Sequence, residues 1–595
     1  MESVLARWMI YKIGAKVALY STPYPLPPPS LVSLNFTTKA SIFRTLGEPP
    51  LLLTVKFKAM RIATDTRLAL STWNRSALAP RHHIFSKIPD EIFYEIFRRS
   101  THSPNAPAVQ PIILSQVSRA WRALAWSAPE LWNQILIVED LEPDTVELDK
   151  TLQRIPHFLK LSNACPLKIS ICVFSYERHL GADAPDDPYC ANLDRFRERL
   201  RLLSALIAPD LARIKALDIT CDEFDVIVDL FSGFPAYTPM PLLEVLAICN
   251  TYEDETLSED MDYPEDAQAL TILLRPHNGV LAETAAPVLY PKLSSVMLHA
   301  VPLDWGRFCP RDLEVLTLGY LARNVRPKDA VLRRILSESH NTLMSLSLAG
   351  CLVGDSWSEE GGEVVAWDPL PELDHLAVGF THPKEVIPFL SALQVPEIKA
   401  FELKNIAAEL TAVAERAQLP YHEESTTLIR TVNWNIPLHR LDVLTLEHIA
   451  FCPPRDDISL GGVQLIHNWN AQPIPKHAYR FFCSLTSLRT LVLHDADAVT
   501  LNAVNYLVPK STKDPHYLRV PVPALHSLEV SGTAYTLLHS FFEARRKSGS
   551  HSALGLTLGI PRSWEPLLKL DDVPSIYVQD LILCDDIFDT RSSTV

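Results

Sequence analysis

Glycine is scarce in this chain, 18 of 595 residues, and that scarcity excludes much of ordinary catalytic chemistry. Loops that cradle a phosphate need glycine, because only a residue without Cβ lets successive N–H groups close around the anion. No Gly-Lys-Ser/Thr phosphate loop, Gly-x-Ser-x-Gly nucleophile turn, glycine-rich dinucleotide fingerprint or His-Glu-x-x-His helix occurs. Cysteine is sparse too. The ten present are scattered with no Cys-x-x-Cys pair, which argues against zinc and against a disulfide framework and fits a reducing compartment. Long apolar runs are missing: none reaches the ~18 residues a membrane helix needs. The expectation is a protein of the cytoplasm and/or nucleus with no membrane partner. His82 and His83, and the set His299, His340 and His375, lack metal-ligand spacing. Neither a metal, a cofactor nor a catalytic residue is therefore expected.

Charge is unevenly shared. Residues 1–84 hold eleven Lys and Arg against three Asp and Glu, a balance of +8, which leaves −23 for the remainder of a chain whose formal charge is −15. An acidic body repels phosphate backbones, so nucleic acid is not an expected partner. The acid-poor start could be read as a mitochondrial transit sequence, but its Pro-rich PYPLPPPS segment favours a disordered or weakly ordered basic leader. Eight acids crowd 253–266 without the turn glycine of a calcium loop, and read as a solvated insert. Arg545-Arg546-Lys547-Ser548 resembles a basic-directed phosphorylation site.

Two amphipathic helices and a closing turn are legible between 86 and 132. Pro89 suits a first helical position, and Asp90 and Glu91 complement the positive end of the helix dipole, as Arg98 and Arg99 do the negative end. Ile88, Ile92, Phe93, Ile96 and Phe97 form one apolar stripe. Pro111 can open a second helix, whose Ile113, Leu114, Val117, Trp121 and Leu124 repeat the spacing with Arg119 and Arg122 toward solvent; Pro129 then starts a brief turn holding Leu131 and Trp132. So small a unit cannot cover that much apolar surface by itself. An ordinary helical hairpin inside a larger core would use the same stripe, but the proline-acid-acid start, the Trp121 spacing and the Leu131-Trp132 turn agree independently.

This stretch resembles the F-box, in which a Leu-Pro-x-Glu-Ile/Val/Leu helix, a Val-Cys-x-x-Trp helix and a Leu-Trp turn dock on the Skp-type adaptor of a cullin-RING ubiquitin ligase. The matching positions are Ile88, Pro89, Glu91, Ile92, Ile96, Val117, Trp121, Leu131 and Trp132. The chain departs from the pattern at Ile88 for the usual Leu, at Ser118 for the usual Cys, and in a Pro-rich insert, THSPNAPAVQ, between the helices. Downstream, HFLKLSNACPLKISI is similar to a segment common in fungal F-box proteins that continue into leucine-rich repeats.

From about residue 200 one phrase recurs: apolar, two variable, apolar, one variable, apolar. It occurs as Ile214-Leu217-Ile219, Leu243-Leu246-Ile248, Leu293-Val296-Leu298, Leu313-Leu316-Leu318, Leu343-Leu346-Leu348, Leu373-Leu376-Val378, Ile398-Phe401-Leu403, Leu441-Leu444-Leu446, Leu488-Leu491-Leu493 and Leu525-Leu528-Val530. Its middle residue advances by 29, 50, 20, 30, 30, 25, 43, 47 and 37, a leucine-rich-repeat-like but irregular period. Each phrase predicts a short strand with alternating residues inward, and each connection predicts a return segment, often helical, as at 195–208, 331–339, 407–417 and 533–547. A doubly wound α/β enzyme also alternates strand and helix but has no need of one strand phrase ten times. The strands are expected to line a concave sheet whose intervening positions, such as Ala216/Asp218, Ser345/Ser347 and Ala400/Glu402, form a docking wall. That row lacks Trp, Tyr and Arg, so specificity is expected from Trp357, Trp367, Trp434 or the stretch from His467.

The expected fold class is α/β: a small all-α F-box-like helical module followed by an irregular leucine-rich-repeat solenoid with a parallel sheet. The expected division is a leader at 1–84, the F-box-like module at 85–138, a connecting strand and helix segment at 139–200 and the solenoid at 201–590. What the resemblance implies is a non-catalytic substrate receptor that joins a Skp-type adaptor, and through it a cullin-RING ligase, to a target protein. A repeat scaffold without a ligase is the alternative.

Overall fold

In the computed structural model, residues 88–102, 109–140, 146–174, 188–221, 224–235, 239–251, 290–303, 305, 308, 310–353, 367–407, 424–449, 451, 475–494, 500, 503–504, 508–509, 518–519, 522–531, 556–561 and 578–584 are described. The leader 1–84, the acidic stretch 253–266, the basic site 545–548, His82, His83, Trp357 and the expected helix at 533–547 lie outside them, as does most of the one expected at 407–417. Two compact units divide the chain, 1–125 and 126–595.

The first unit holds α1 (Asp90–Thr101), α2 (Gln110–Val117) and most of α3 (Arg119–Ser127). Pro89 stands one position before the helix, not in it: its ψ of 146° is extended, while its carbonyl accepts the N–H groups of Ile92 and Phe93 at 3.1 and 3.4 Å. The single second helix expected from the sequence is two. Ser118 breaks it with extended backbone (φ −156°, ψ 168°), and its Oγ accepts the N–H of Trp121 at 3.1 Å, so Ser118 is the N-cap of α3. Arg122 spans the break, donating from Nε to the Ser115 carbonyl at 3.0 Å.

The second unit is built on a parallel sheet. Among the described residues its fourteen strands are β1 (Gln134–Asp140), β2 (Leu167–Phe174), β3 (Ile214–Cys221), β4 (Val245–Asn250), β5 (Ser295–His299), β6 (Val315–Gly319), β7 (Ser345–Ala349), β8 (His375–Phe380), β9 (Ala400–Asn405), β10 (Val443–Glu447), β11 (Thr490–His494), β12 (Ser527–Ser531), β13 (Leu556–Pro561) and β14 (Val578–Cys584). They lie side by side in chain order, with none of the reversal that a doubly wound sheet shows. The sheet starts well before residue 201: the stretch expected to be a connector supplies β2, and β1 begins within the span expected for the helical module and runs across its boundary at 138.

Register follows the recurring phrase. Leu217, Leu246, Val296, Leu316, Leu346, Leu376, Phe401, Leu444, Leu491 and Leu528 fall in one lateral row, and Ile219, Ile248, Leu298, Leu318, Leu348, Val378, Leu403, Leu446, Leu493 and Val530 in another. All are buried. Each buried leucine contributes roughly 1.5–3 kcal/mol, so these rows are the second unit's main stabilising element. Helices α4 (Val146–Leu161), α5 (Pro188–Ile207), α6 (Phe224–Ser232), α7 (Asp329–Glu338), α8 (Pro383–Ala392), α9 (Glu424–Asn435) and α10 (Lys476–Ser484) return between strands. α4, α6 and α8 pack on β1, β3 and β8, and α9 packs between α8 and α10.

A repeated device closes several strands. Ala300, Tyr320, Gly350 and His448, each just past a strand, take left-handed φ values of 51, 56, 60 and 54°. Each donates its N–H to a carbonyl at the end of the next strand, that of Gly319, Ala349 or His494 in the last position or Gly379 in the last but one, at 2.7–3.0 Å. The turn thus extends the ladder by one bond while redirecting the chain. Arg326 clamps three connections: its guanidinium donates to the Leu321 and Leu352 carbonyls, both at 3.0 Å, and to Glu385 Oε1 at 2.8 Å, with both side chains largely buried. Glu385 also completes the capping box of α8 with His382.

Candidate functional site

The apolar stripe of α1 divides in the structure. Phe93 and Phe97 turn inward and meet the Trp121 ring at centroid distances of 5.7 and 4.8 Å. Ile92 and Ile96, one position earlier in each pair, stay 52 and 51 % exposed. The same division runs through α2, where Pro111, Leu114 and Ser115 are buried while Ile113 and Val117 remain 45 and 58 % exposed. Each helix therefore carries two apolar residues one turn apart that its own core leaves in water.

The other expected site residues take different places. Ile88 is half-buried, and Pro89 and Glu91 are exposed at the start of α1. Trp121 serves the core, joining α3 to α1 by its ring. Leu131 and Trp132, in the 3-10 turn Pro129–Trp132, belong to the second unit and are buried, Trp132 meeting Phe158 edge-on at 5.2 Å. Ile113 was visible as part of the stripe, and its i, i+4 spacing with Val117 was the signal that it shares the exposed side. Trp126 near the end of α3 is also exposed.

A forked ion pair fixes the surface beside this stripe. Glu95 accepts from Arg98 at 2.8 and 3.0 Å and from Arg99 at 2.7 Å. Those bonds pull its carboxyl down to about 2.

The outward positions of the sheet form the second candidate surface. Ser170 donates to Asp218 at 2.9 Å, and Ser345 Oγ lies 3.2 Å from His375 Nδ1. Lys404 pairs with Glu447 at 3.4 Å. Burial, and then the nearby Glu447 charge, push the Glu402 carboxyl up. Trp367 is a packing residue, buried edge-on against Phe389 at 5.2 Å with Arg333 over its ring. The described end of the stretch from His467 is likewise structural, since Phe481 and Phe482 pack with Phe451. Trp434 on α9 is 77 % exposed.

Among the described residues no group of His, Cys, Asp and Glu converges as a metal ion would require, and no helix is long and apolar enough to cross a membrane. No protein-family model matches this chain, and no curated protein sequence does either.

Proposed function

We propose that the helices from α1 to the Pro129–Trp132 turn form an F-box-like module, that the sequential parallel sheet is an irregular leucine-rich-repeat solenoid, and that the protein is the substrate receptor of a Skp-cullin-F-box ubiquitin ligase. The observation that carries the adaptor half is the half-exposed set Ile92, Ile96, Ile113 and Val117 on helices whose aromatic residues already supply a core. Apolar surface on one small unit is best stabilised under a partner chain. The repeats hold a target, and the ligase's other subunits supply the chemistry. The chain's own contribution is proximity, which raises the effective concentration of target lysines near the conjugating enzyme. No metal or cofactor enters this reading, which puts the protein in the cytoplasm or the nucleus.

The test is capture of a purified Skp-type adaptor by the full-length chain. Ile92→Asp and Ile96→Asp each place a charge on the exposed stripe without touching Phe93 or Phe97, so binding is expected to fall more than tenfold with circular dichroism unchanged. Unchanged capture by both variants defeats the reading. One observation favours the alternative, a repeat scaffold without a ligase: Trp132, a residue of the resemblance, is spent on packing against Phe158. A chain that retains its fold but never captures the adaptor supports that scaffold.

A further inference from the structure

We infer that the outer face of α9 and α10 is a docking surface for an acidic segment of a partner protein. On α9, Leu428, Ile429, Thr431 and Val432 turn inward, leaving Thr427, Arg430 and Trp434 as an outward stripe. On α10, Ala478, Phe481, Phe482 and Cys483 turn inward, leaving Lys476 and Arg480 outward. The two helices pack side by side. Ser484 donates to Asn433 Oδ1 at 3.1 Å, joining their last turns. Arg430 stands one turn before Trp434 on α9, and Arg480 one turn before Ser484 on α10, so both exposed arginines and the exposed indole lie on two helices that pack side by side. The charge of Arg430 is felt at His477 on the facing turn of α10.

Composition states what fits there. The two helices carry Arg430, Lys476 and Arg480 against a single acid, Glu424, which is already paired with Lys384 at 3.1 Å. None of the three cations has an ion pair among the described residues. In a chain of net charge −15 this is a local reversal of sign. An exposed tryptophan with exposed arginines near it is the composition of a binding hot spot, and its complement is a segment with carboxylates around an apolar or aromatic side chain. RNA or an anionic membrane would present negative charge to the whole acidic body, whereas a short acidic segment meets only this face. Nothing in the inference depends on the adaptor reading.

The experiment is fluorescence anisotropy on the full-length chain. Its probes are a fluorescein-labelled peptide of glutamates around a central Leu-Phe pair, the same peptide with lysines, single-stranded RNA of mixed sequence, and phosphatidylserine vesicles. Expected is binding of the glutamate peptide that weakens with salt and falls about tenfold or more in Trp434→Ala and in R430E/R480E, while Arg430→Ala gives a smaller loss and Ile92→Asp none. All substituted positions are exposed, and circular dichroism checks the fold. The inference is overturned if the glutamate peptide does not bind, if lysine peptide, RNA or vesicles bind as well or better, or if the Trp434 and arginine variants bind as the parent does.

Discussion

Ser118 supplies the oxygen that starts α3, so its hydroxyl has a thermodynamic consequence in the first unit. Ser118→Ala is expected to cost about 1 kcal/mol in urea unfolding, and Ser118→Asp to restore it. The Arg326–Glu385 pair is a heavier contributor, because removing one partner leaves the other buried and charged: Glu385→Gln is expected to cost roughly 3–5 kcal/mol. His375 gives the fold an acid-sensitive point. Burial holds its pKa below the ordinary 6.5, so its neutral form is favoured in the folded state. Its stabilising contribution is complete above that value and is lost as pH falls below it. His375→Asn is expected to flatten the loss of melting temperature on acidification through that range; an unaltered slope would count against the assignment. At this scale the sequence was only partly legible. Periodicity showed that Ile92, Phe93, Ile96 and Phe97 share a wide stripe, but not which half faces inward. The aromatic half took the core because its rings reach Trp121 on α3.

Strands were the most legible elements. The phrase that repeats along the chain fixes both their positions and their register, because one apolar row must stay dry through every neighbour. Leu346→Ala, in the middle of that row, is expected to cost about 2–5 kcal/mol, whereas Ser347→Ala, on the other side of the same strand, should change stability by under about 0.5 kcal/mol. Equal effects at the two positions would overturn the sidedness. Helices were read less well. α5 and α7 overlap expected return helices, but α8 carries Pro388 in its interior, where proline disfavours a helix, and α9 is rich in Ser, Thr and Asn, which favour turns. Packing between neighbouring helices overrides those preferences. β1 and β2 were legible as strands but not as the start of the same sheet, since β2 has Pro166 at the phrase's first apolar position and in β1 that position falls to Trp132 of the preceding turn.

Among the described residues each strand of the fourteen-stranded sheet pairs only with the sheet strands before and after it in sequence. Such an array gains stability from nearest-neighbour contacts and opens from its ends. Amide exchange is expected to be slowest in β6–β9 and faster in β13 and β14; one uniform protection level along the sheet would contradict this. The charge anomaly on α9 and α10 was also hidden at sequence level, because Arg430 and Trp434 on α9 lie some fifty residues before Arg480 on α10, and the two helices come together only through packing.

The left-handed turns that end β5, β6, β7 and β10 tie each strand's exit to its neighbour and not to the length of chain that follows. Only fifteen residues lie between His299 and Val315, yet the far longer path of forty-four between Asn250 and Ser295 delivers its strand to the same alignment. The sheet therefore works as a comb whose teeth are spaced from within. Foreign sequence threaded into a long gap would hang outside without shifting any tooth, which makes this chain a ready frame for displaying grafted peptides.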